Sequence, residues 1–189
     1  MGKSGSGKST FLNFLKGSTY LKDKVNFVQT DTTRKRRLSE LISNTYNFIS
    51  GEEFAEKFLN NNYLEACNFN DNFYGTPYDA LQKDKVNIGI WTYSGLCNIK
   101  DNLPKDSMVY PIYLYVPDRV RWQRLLNREY DNEENIIEKL YARHKEEIFE
   151  FDFHEDFLPF YWNNSTIPDL RQNAEYMEHL VAIFTNEMH

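Results

Sequence analysis

Residues 2 to 9 read Gly-Lys-Ser-Gly-Ser-Gly-Lys-Ser, and Phe11, Leu12, Phe14 and Leu15 then set an apolar stripe along a helix that Gly17 can end. A glycine-rich turn running straight into a helix fits G-x-x-x-x-G-K-[ST], whose backbone amides ring a polyphosphate at the helix amino end. Glycines at 2, 5 and 7 admit backbone angles and a close approach that a Cβ blocks. Lys8 places a cation on the β and γ phosphates, and Ser9 offers a hydroxyl to magnesium. Such a loop normally joins the carboxyl end of a central parallel strand to a helix, so the expected fold class is α/β, with a three-layer α/β/α core around a parallel sheet. Only Met1 precedes the loop. We therefore expect the sequence to begin after that first strand, because a sheet lacking its middle strand buries unpaired backbone groups.

The 189 residues suit one domain, and the longest apolar stretches, such as 109 to 116, are far too short to cross a bilayer. No membrane partner is expected. The net charge of −6 argues against nucleic acid, since duplex-binding surfaces neutralise phosphates with many Lys and Arg. Residues 1 to 37 nonetheless hold nine basic and two acidic side chains, so that end should face something anionic. Cys67 and Cys97 have neither metal-ligand nor disulfide spacing, and no signal segment opens the chain, which reads as a cytoplasmic protein with two reduced thiols. His144, His154, His179 and His189 lack metal spacing and a nucleophile partner. The oligomeric state is left open.

Val25 to Val28 and Tyr46 to Ile49 read as short strands, followed by a helix near 52 to 59. The Asn-rich stretch 60 to 72 suits short strands and turns, giving a small strand-rich unit over about residues 31 to 80. Val86 to Trp91 and Met108 to Val116 have the continuous apolar pattern of buried parallel strands. A helix from Asp118 sets Val120, Trp122, Leu125 and Leu126 against Arg121, Arg124 and Arg128 on another face. Asp131 and Glu134 form a capping pair for a next helix carrying Ile136, Ile137, Leu140 and Tyr141. Phe157 to Trp162 supplies a last strand, and Leu170, Ala174, Met177, Leu180, Val181 and Phe184 trace a terminal helix.

From Thr30 the chain reads Thr-Asp-Thr-Thr-Arg-Lys-Arg-Arg-Leu-Ser-Glu, then Tyr46-Asn-Phe-Ile, Tyr63-Leu-Glu-Ala and Phe73-Tyr74-Gly75-Thr76. With the phosphate loop, this order closely resembles guanylate kinases from Gly2 to about Asn164. Thr-Thr-Arg-x-x-Arg-x-x-Glu at 32 to 40 and Tyr-Gly-Thr at 74 to 76 are its most specific parts. The resemblance implies a core over about 1–30, 81–120 and 150–189, an acceptor subdomain over 31–80 and a lid over 121–149. It implies that Arg34, Arg37, Glu40, Tyr46 and Tyr74 form the monophosphate site, and that Thr30, Glu65 and Thr76 read the base. ATP would lie on Gly2, Lys3, Ser4, Gly5, Ser6, Gly7, Lys8, Ser9 and Thr10, with Asn163 or Asn164 at adenine and magnesium on Ser9. Lys8, Arg34 and Arg128 are the implied catalytic cations; Lys139 stands where the lid usually carries an arginine, and Arg124 and Arg143 are weaker matches.

Chemistry agrees with the acceptor assignment. Two guanidinium forks take a dianionic phosphate in bidentate fashion, and tyrosine hydroxyls add neutral donors. The Glu65 carboxylate can accept from both N1–H and the exocyclic amino group of guanine, whereas adenine has no hydrogen on N1. One departure stands out: the family's Asp-x-Asp-x-x-Gly is here Ile90-Trp91-Thr92-Tyr93-Ser94-Gly95, without a carboxylate. The expected activity is ATP-dependent phosphorylation of GMP or dGMP. The alternatives are a noncatalytic guanylate-kinase-like module holding a phosphopeptide, and a kinase for another nucleoside or deoxynucleoside monophosphate.

Overall fold

A computed structural model describes residues 1–37, 40, 45–129, 136–151 and 159–187. Helix α1 (Lys8–Lys16) buries Phe11, Leu12 and Leu15 and stops at Gly17, whose amide bonds back to the helix carbonyls. Strand β1 (Val25–Phe27) pairs in parallel with β6 (Val86–Ile88), and β7 (Ile112–Tyr115) in parallel with β8 (Phe160–Asn163). Met1 takes a strand position beside β7: its nitrogen donates to Ile112 O at 2.7 Å and its carbonyl accepts from Leu114 N at 3.0 Å. The loop thus leaves a strand position at the level of β7. Phe11 and Leu15 pack with Leu21, Val25 and Leu114 against Leu170, Ala174, Met177 and Val181 of the terminal helix α6 (Ile167–Glu187). This α/β core is the expected fold class.

The core strands are shorter than their apolar runs. Strand β6 ends at Ile88, because Ile90 and Trp91 leave the sheet to line a cleft. A Cβ on Gly89 would lie 2.3 Å from the Trp91 ring, so only glycine lets that side chain fold back. Before β7, Tyr110 stacks on Phe160 at 5.6 Å instead of joining the ladder.

A second sheet has the order β3–β2–β5–β4, built from β2 (Thr30–Thr32), β3 (Tyr46–Phe48), β4 (Tyr63–Phe69) and β5 (Asn72–Pro77). The β4–β5 hairpin turns through Asn70 and Asp71, both left-handed (φ 51° and 55°), the geometry of a type I′ turn. Helix α2 (Gly51–Leu59) is capped by the Ser50 hydroxyl accepting from Glu53 N at 3.1 Å. It seats Phe54 between Tyr63 and Phe73, with ring centroids 4.8 and 5.4 Å away. Buried Asp31 ties the unit together, accepting from Tyr63, Asn47 and Lys57 at 2.8 to 2.9 Å.

Helices α3 (Tyr93–Asn102), α4 (Asp118–Glu129) and α5 (Ile136–Glu150), with a 3-10 turn over Tyr78–Ala80, complete the described elements. Leu125 and Leu140 are buried as the stripes of α4 and α5 require, but Ile137 and Tyr141 face solvent. Arg121, read from its spacing as part of a polar face, is instead buried, because Asp118 and Glu147 meet its guanidinium. The Asp131–Glu134 capping pair, Phe157 and His154 lie outside the described residues.

Candidate active site

Gly5 and Gly7 adopt left-handed backbone (φ 80° and 86°), and a Cβ there would meet Arg121 O at 2.9 Å and Asn164 Nδ2 at 2.7 Å. These two positions turn the loop so that α1 begins at Lys8. Its N-cap, Gly7, makes no side-chain cap bond, and a helix amino end of this kind suits an incoming anion. Lys8 Nζ lies across the loop, donating to Gly2 O at 2.5 Å and Lys3 O at 3.1 Å. Gly2, Ser4, Gly5, Gly7, Lys8, Ser9 and Thr10 all line one cleft; Lys3 and Ser6 do not, and the Ser6 side chain is fully buried.

The Arg34 guanidinium forks onto Glu40, with NH1 to Oε2 at 3.0 Å and NH2 to Oε1 at 2.9 Å. Glu40 also accepts from Arg37 N at 3.0 Å and pairs with the Arg37 guanidinium at 3.5 Å. Burial opposes both charges, yet the Arg34–Glu40 bonds win: the Arg34 pKa is raised and the Glu40 pKa lowered. Glu40, expected at the monophosphate, lies behind Arg34 and does not line the cleft, as a carboxylate should not beside a phosphate. Arg34, Arg37, Tyr46 and Tyr74 do line it, the two tyrosine rings meeting edge to face at 6.0 Å. Burial first, then Tyr74, raises the Tyr46 pKa, so its hydroxyl stays a neutral donor.

Glu65 and Thr30 line the same cleft. Glu65 Oε1 accepts from the Thr76 hydroxyl at 2.6 Å, and Thr76 Oγ1 in turn accepts from Trp91 Nε1 at 2.8 Å. Thr76, expected at the base, is fully buried and acts from behind by fixing Glu65. Glu65 Oε2 is buried with no hydrogen-bond partner among the described residues. Burial lifts the Glu65 pKa to about 7, against the pull of the Thr76 donors. Cys67 lines the cleft too, its thiol pushed up to about 12 by burial and by the Glu65 charge. Thr92 Oγ1 caps α3 by accepting from Gly95 N at 3.0 Å. Two carboxylates reach this stretch from elsewhere: Glu150 of α5 accepts from Ser94 N at 2.9 Å, and Glu65 Oε2 lies 3.1 Å from where a Cβ on Gly95 would stand.

Loop, arginines and Glu65 therefore share a single cleft of about 1240 Å³, larger than the roughly 300–1,000 Å³ of an ordinary one-ligand pocket. Arg124 and Arg143 line it too. Arg124 donates to Gly5 O at 3.1 Å and Ser165 O at 2.7 Å, so it braces the loop. Asn163 is turned to Asp169 at 3.2 Å, outside the cleft, while Asn164 donates to Ser6 O at 2.8 Å. The side chains of Arg128 and Lys139 lie outside the described residues. Sequence reasoning missed the bracing roles of Trp91, Asn164 and Arg121, because nothing in their spacing distinguishes a brace from a core or surface residue.

A glycine-rich G-x-x-x-x-G-K-S loop and an arginine pair lining one cleft of an α/β core have the chemistry of a phosphotransferase. Comparison with known proteins narrows this. The guanylate kinase family profile matches residues 1–156. The chain is 32% identical to the guanylate kinase of Mycoplasmoides gallisepticum over 180 residues, covering 90% of this chain and 87% of that protein. It is 30% identical to that of Prochlorococcus marinus over 161 residues, covering 80% and 83%. The crystal structure of guanylate kinase from Anaplasma phagocytophilum superposes with a TM-score of 0.66 over 97% of this chain and 84% of that one, at 20% identity, which speaks to the fold alone. The chain belongs to the guanylate kinase family. Among the described residues no helix is long and apolar enough to cross a membrane.

Proposed function

We propose that this protein transfers the γ-phosphoryl group of ATP to GMP or dGMP. What carries this reading is that the phosphate loop and the Arg34–Arg37 pair line the same cleft, with the unpartnered Glu65 oxygen at its acceptor end. The loop amides and Lys8 would take the ATP phosphates, while Arg34, Arg37, Tyr46 and Tyr74 hold the acceptor phosphate. Guanine N1–H and its amino group would donate to Glu65. An acceptor phosphate oxygen attacks the γ-phosphorus, the bond to the β–γ bridging oxygen breaks, and ADP leaves carrying that electron pair; no covalent enzyme intermediate is needed. The clamped in-line geometry and the cations that offset the transferring charge supply the acceleration.

In this reading residues 31–80 form the acceptor subdomain and 121–149 the lid, with Arg128 and Arg143 reaching the transferring group. Ser9 would hold magnesium. Among the described residues no cluster of three His, Cys, Asp or Glu side chains is placed to hold a metal, so phosphate oxygens and water would complete its shell, as magnesium accepts. Bound there, the ion offsets phosphate charge.

A coupled assay of ADP release with ATP and a panel of monophosphates tests the proposal. Turnover of GMP or dGMP above the other bases, lost by at least about 100-fold in Lys8→Ala, is expected. Turnover of no monophosphate, or an unchanged Lys8→Ala rate, refutes it.

A further inference from the structure

A phosphate loop works when its amides face the anion, which requires its carbonyls to be turned away and held there. Three successive loop carbonyls are held from outside: Ser4 O accepts from Arg121 at 2.6 Å, Gly5 O from Arg124 at 3.1 Å and Ser6 O from Asn164 at 2.8 Å. Ser4 is gripped on both sides of its backbone, since its N–H donates to Glu147 Oε1 at 2.5 Å. Glu147 lies on α5, 143 positions along the chain, and its Oε2 pairs with Arg121 at 3.1 Å; both side chains are 1% exposed. Asp118 Oδ1 accepts from Arg121 Nη2 at 2.8 Å and Nε at 3.0 Å. Neither Arg121 nor Glu147 lines the cleft. A pair this deeply buried is a poor source of stability, because desolvating both charges consumes their attraction. What it does hold is one peptide of the phosphate loop.

We propose that Glu147, acting with Arg121, is a positioning residue that keeps the phosphate loop in its anion-receiving shape and makes that shape depend on the docking of α5. The same helix places Glu146 on Asn70 N at 2.9 Å, at the hairpin of the acceptor sheet, and Glu150 on Ser94 N at 2.9 Å, at the start of α3. Its carboxylates thus join the acceptor sheet, the loop and the core. A shift of α5 must carry Ser4 with it or break the grip on that residue, so donor affinity is coupled to helix position. This inference rests on the donor-site reading given above.

Two variants test it. Glu147→Gln keeps the bulk and one acceptor for Ser4 N–H while removing the buried one of the two counter-charges of Arg121, the half-exposed Asp118 being the other. The double variant Arg121→Met/Glu147→Leu replaces the pair with apolar side chains of similar size. Magnesium-ATP and GMP are titrated separately by calorimetry, and hydrogen exchange of the peptide spanning residues 2–8 is followed in nucleotide-free protein. The expected result is a loss of ATP affinity of about 10- to 100-fold, with GMP affinity held within about twofold and loop exchange accelerated. A lowered melting temperature with ATP affinity and loop exchange at the parent level overturns the proposal, as does an equal loss for both nucleotides. Failure of both variants to fold also overturns it, since positioning must be separable from folding. Should the parent protein bind no ATP, the donor reading fails on its own, and the loop exchange then decides the role of Glu147.

Discussion

The base end of the cleft makes a pH prediction that can be worked through in numbers. In the proposed function Glu65 would accept the guanine donors only as a carboxylate, yet burial holds its pKa at about 7. With that value the ionised fraction is about 90% at pH 8 and about 10% at pH 6, so kcat/KM for GMP should fall about tenfold between them. An ordinary carboxyl near 4.5 would give no change in that window. The GMP phosphate has its own ionisation near pH about 6, which adds to the profile. Glu65→Gln separates the two, because it retains the phosphate titration and lacks the carboxyl. Its kcat/KM for GMP should be lower by at least about 100-fold at pH 8, since its amide offers one acceptor and turns donors toward donors. Initial rates against GMP across the pH range, with wild type and Glu65→Gln in parallel, make the measurement. If the two proteins give pH profiles of the same shape, with equal falls in kcat/KM from pH 8 to pH 6, Glu65 is not the group that reads the base.

The same geometry bears on stability and on each substrate separately. A native pKa raised above the unfolded value favours the fold below about 4.5 and costs stability as pH rises through about 7, so Glu65→Gln should be more stable than wild type by up to about 3 kcal/mol at pH 8, and by under about 1 at pH 5, in urea melts. Arg34→Lys loses the fork and leaves buried Glu40 partly unpaired; KM for GMP should rise about 10- to 100-fold with KM for ATP little changed. Gly7→Ala forces a left-handed alanine and a Cβ 2.7 Å from Asn164 Nδ2, so calorimetry should find ATP binding weakened at least about tenfold with GMP binding intact. Phe54→Ala empties the stack between Tyr63 and Phe73 and should cost about 3–5 kcal/mol in chemical denaturation.

Local patterns in the sequence reached a good part of this architecture. The helix after the glycine loop, the Asn-rich hairpin and the amphipathic terminal helix depend on neighbours in the chain, and they form where periodicity and turn chemistry place them. Strand lengths were not legible, because an apolar run does not say where its side chains stop facing a sheet: Trp91 extends the run after β6 but turns to hydrogen-bond Thr76. At the site, motif spacing picked out residues that line the cleft, such as Arg34 and Glu65, together with others behind it, such as Glu40 and Thr76, without telling the two apart. Arg121 sits at helical spacing from Arg124, so sequence alone offers a solvated polar face; only the fold, by bringing Glu147 and Ser4 to it, offsets the cost of its burial. Glu40 and Thr76 follow the same logic, supporting Arg34 and Glu65 from positions that no spacing rule separates from direct contact.

The distribution of charge explains why the cleft suits two anions in a protein of net charge −6. Among its described lining residues Lys8, Arg34, Lys35, Arg36, Arg37, Arg124 and Arg143 are basic, and Glu65 is the one acidic side chain. Field lines focus into such a recess, so nucleotide association should slow as ionic strength rises, while a neutral competitor at the base end would not respond. The acids close to those cations are placed behind them, as Glu40 is behind Arg34, where they orient a guanidinium without occupying the space a phosphate needs. In the proposed reading Glu65 is the exception because its ligand is a donor: its oxygen, unpartnered among the described residues, costs folding energy that a hydrogen-bonding base would return. A scaffold that merely held a phosphopeptide would need the arginines but would gain nothing from that buried oxygen, nor from Lys8 and Ser9 in the same cleft.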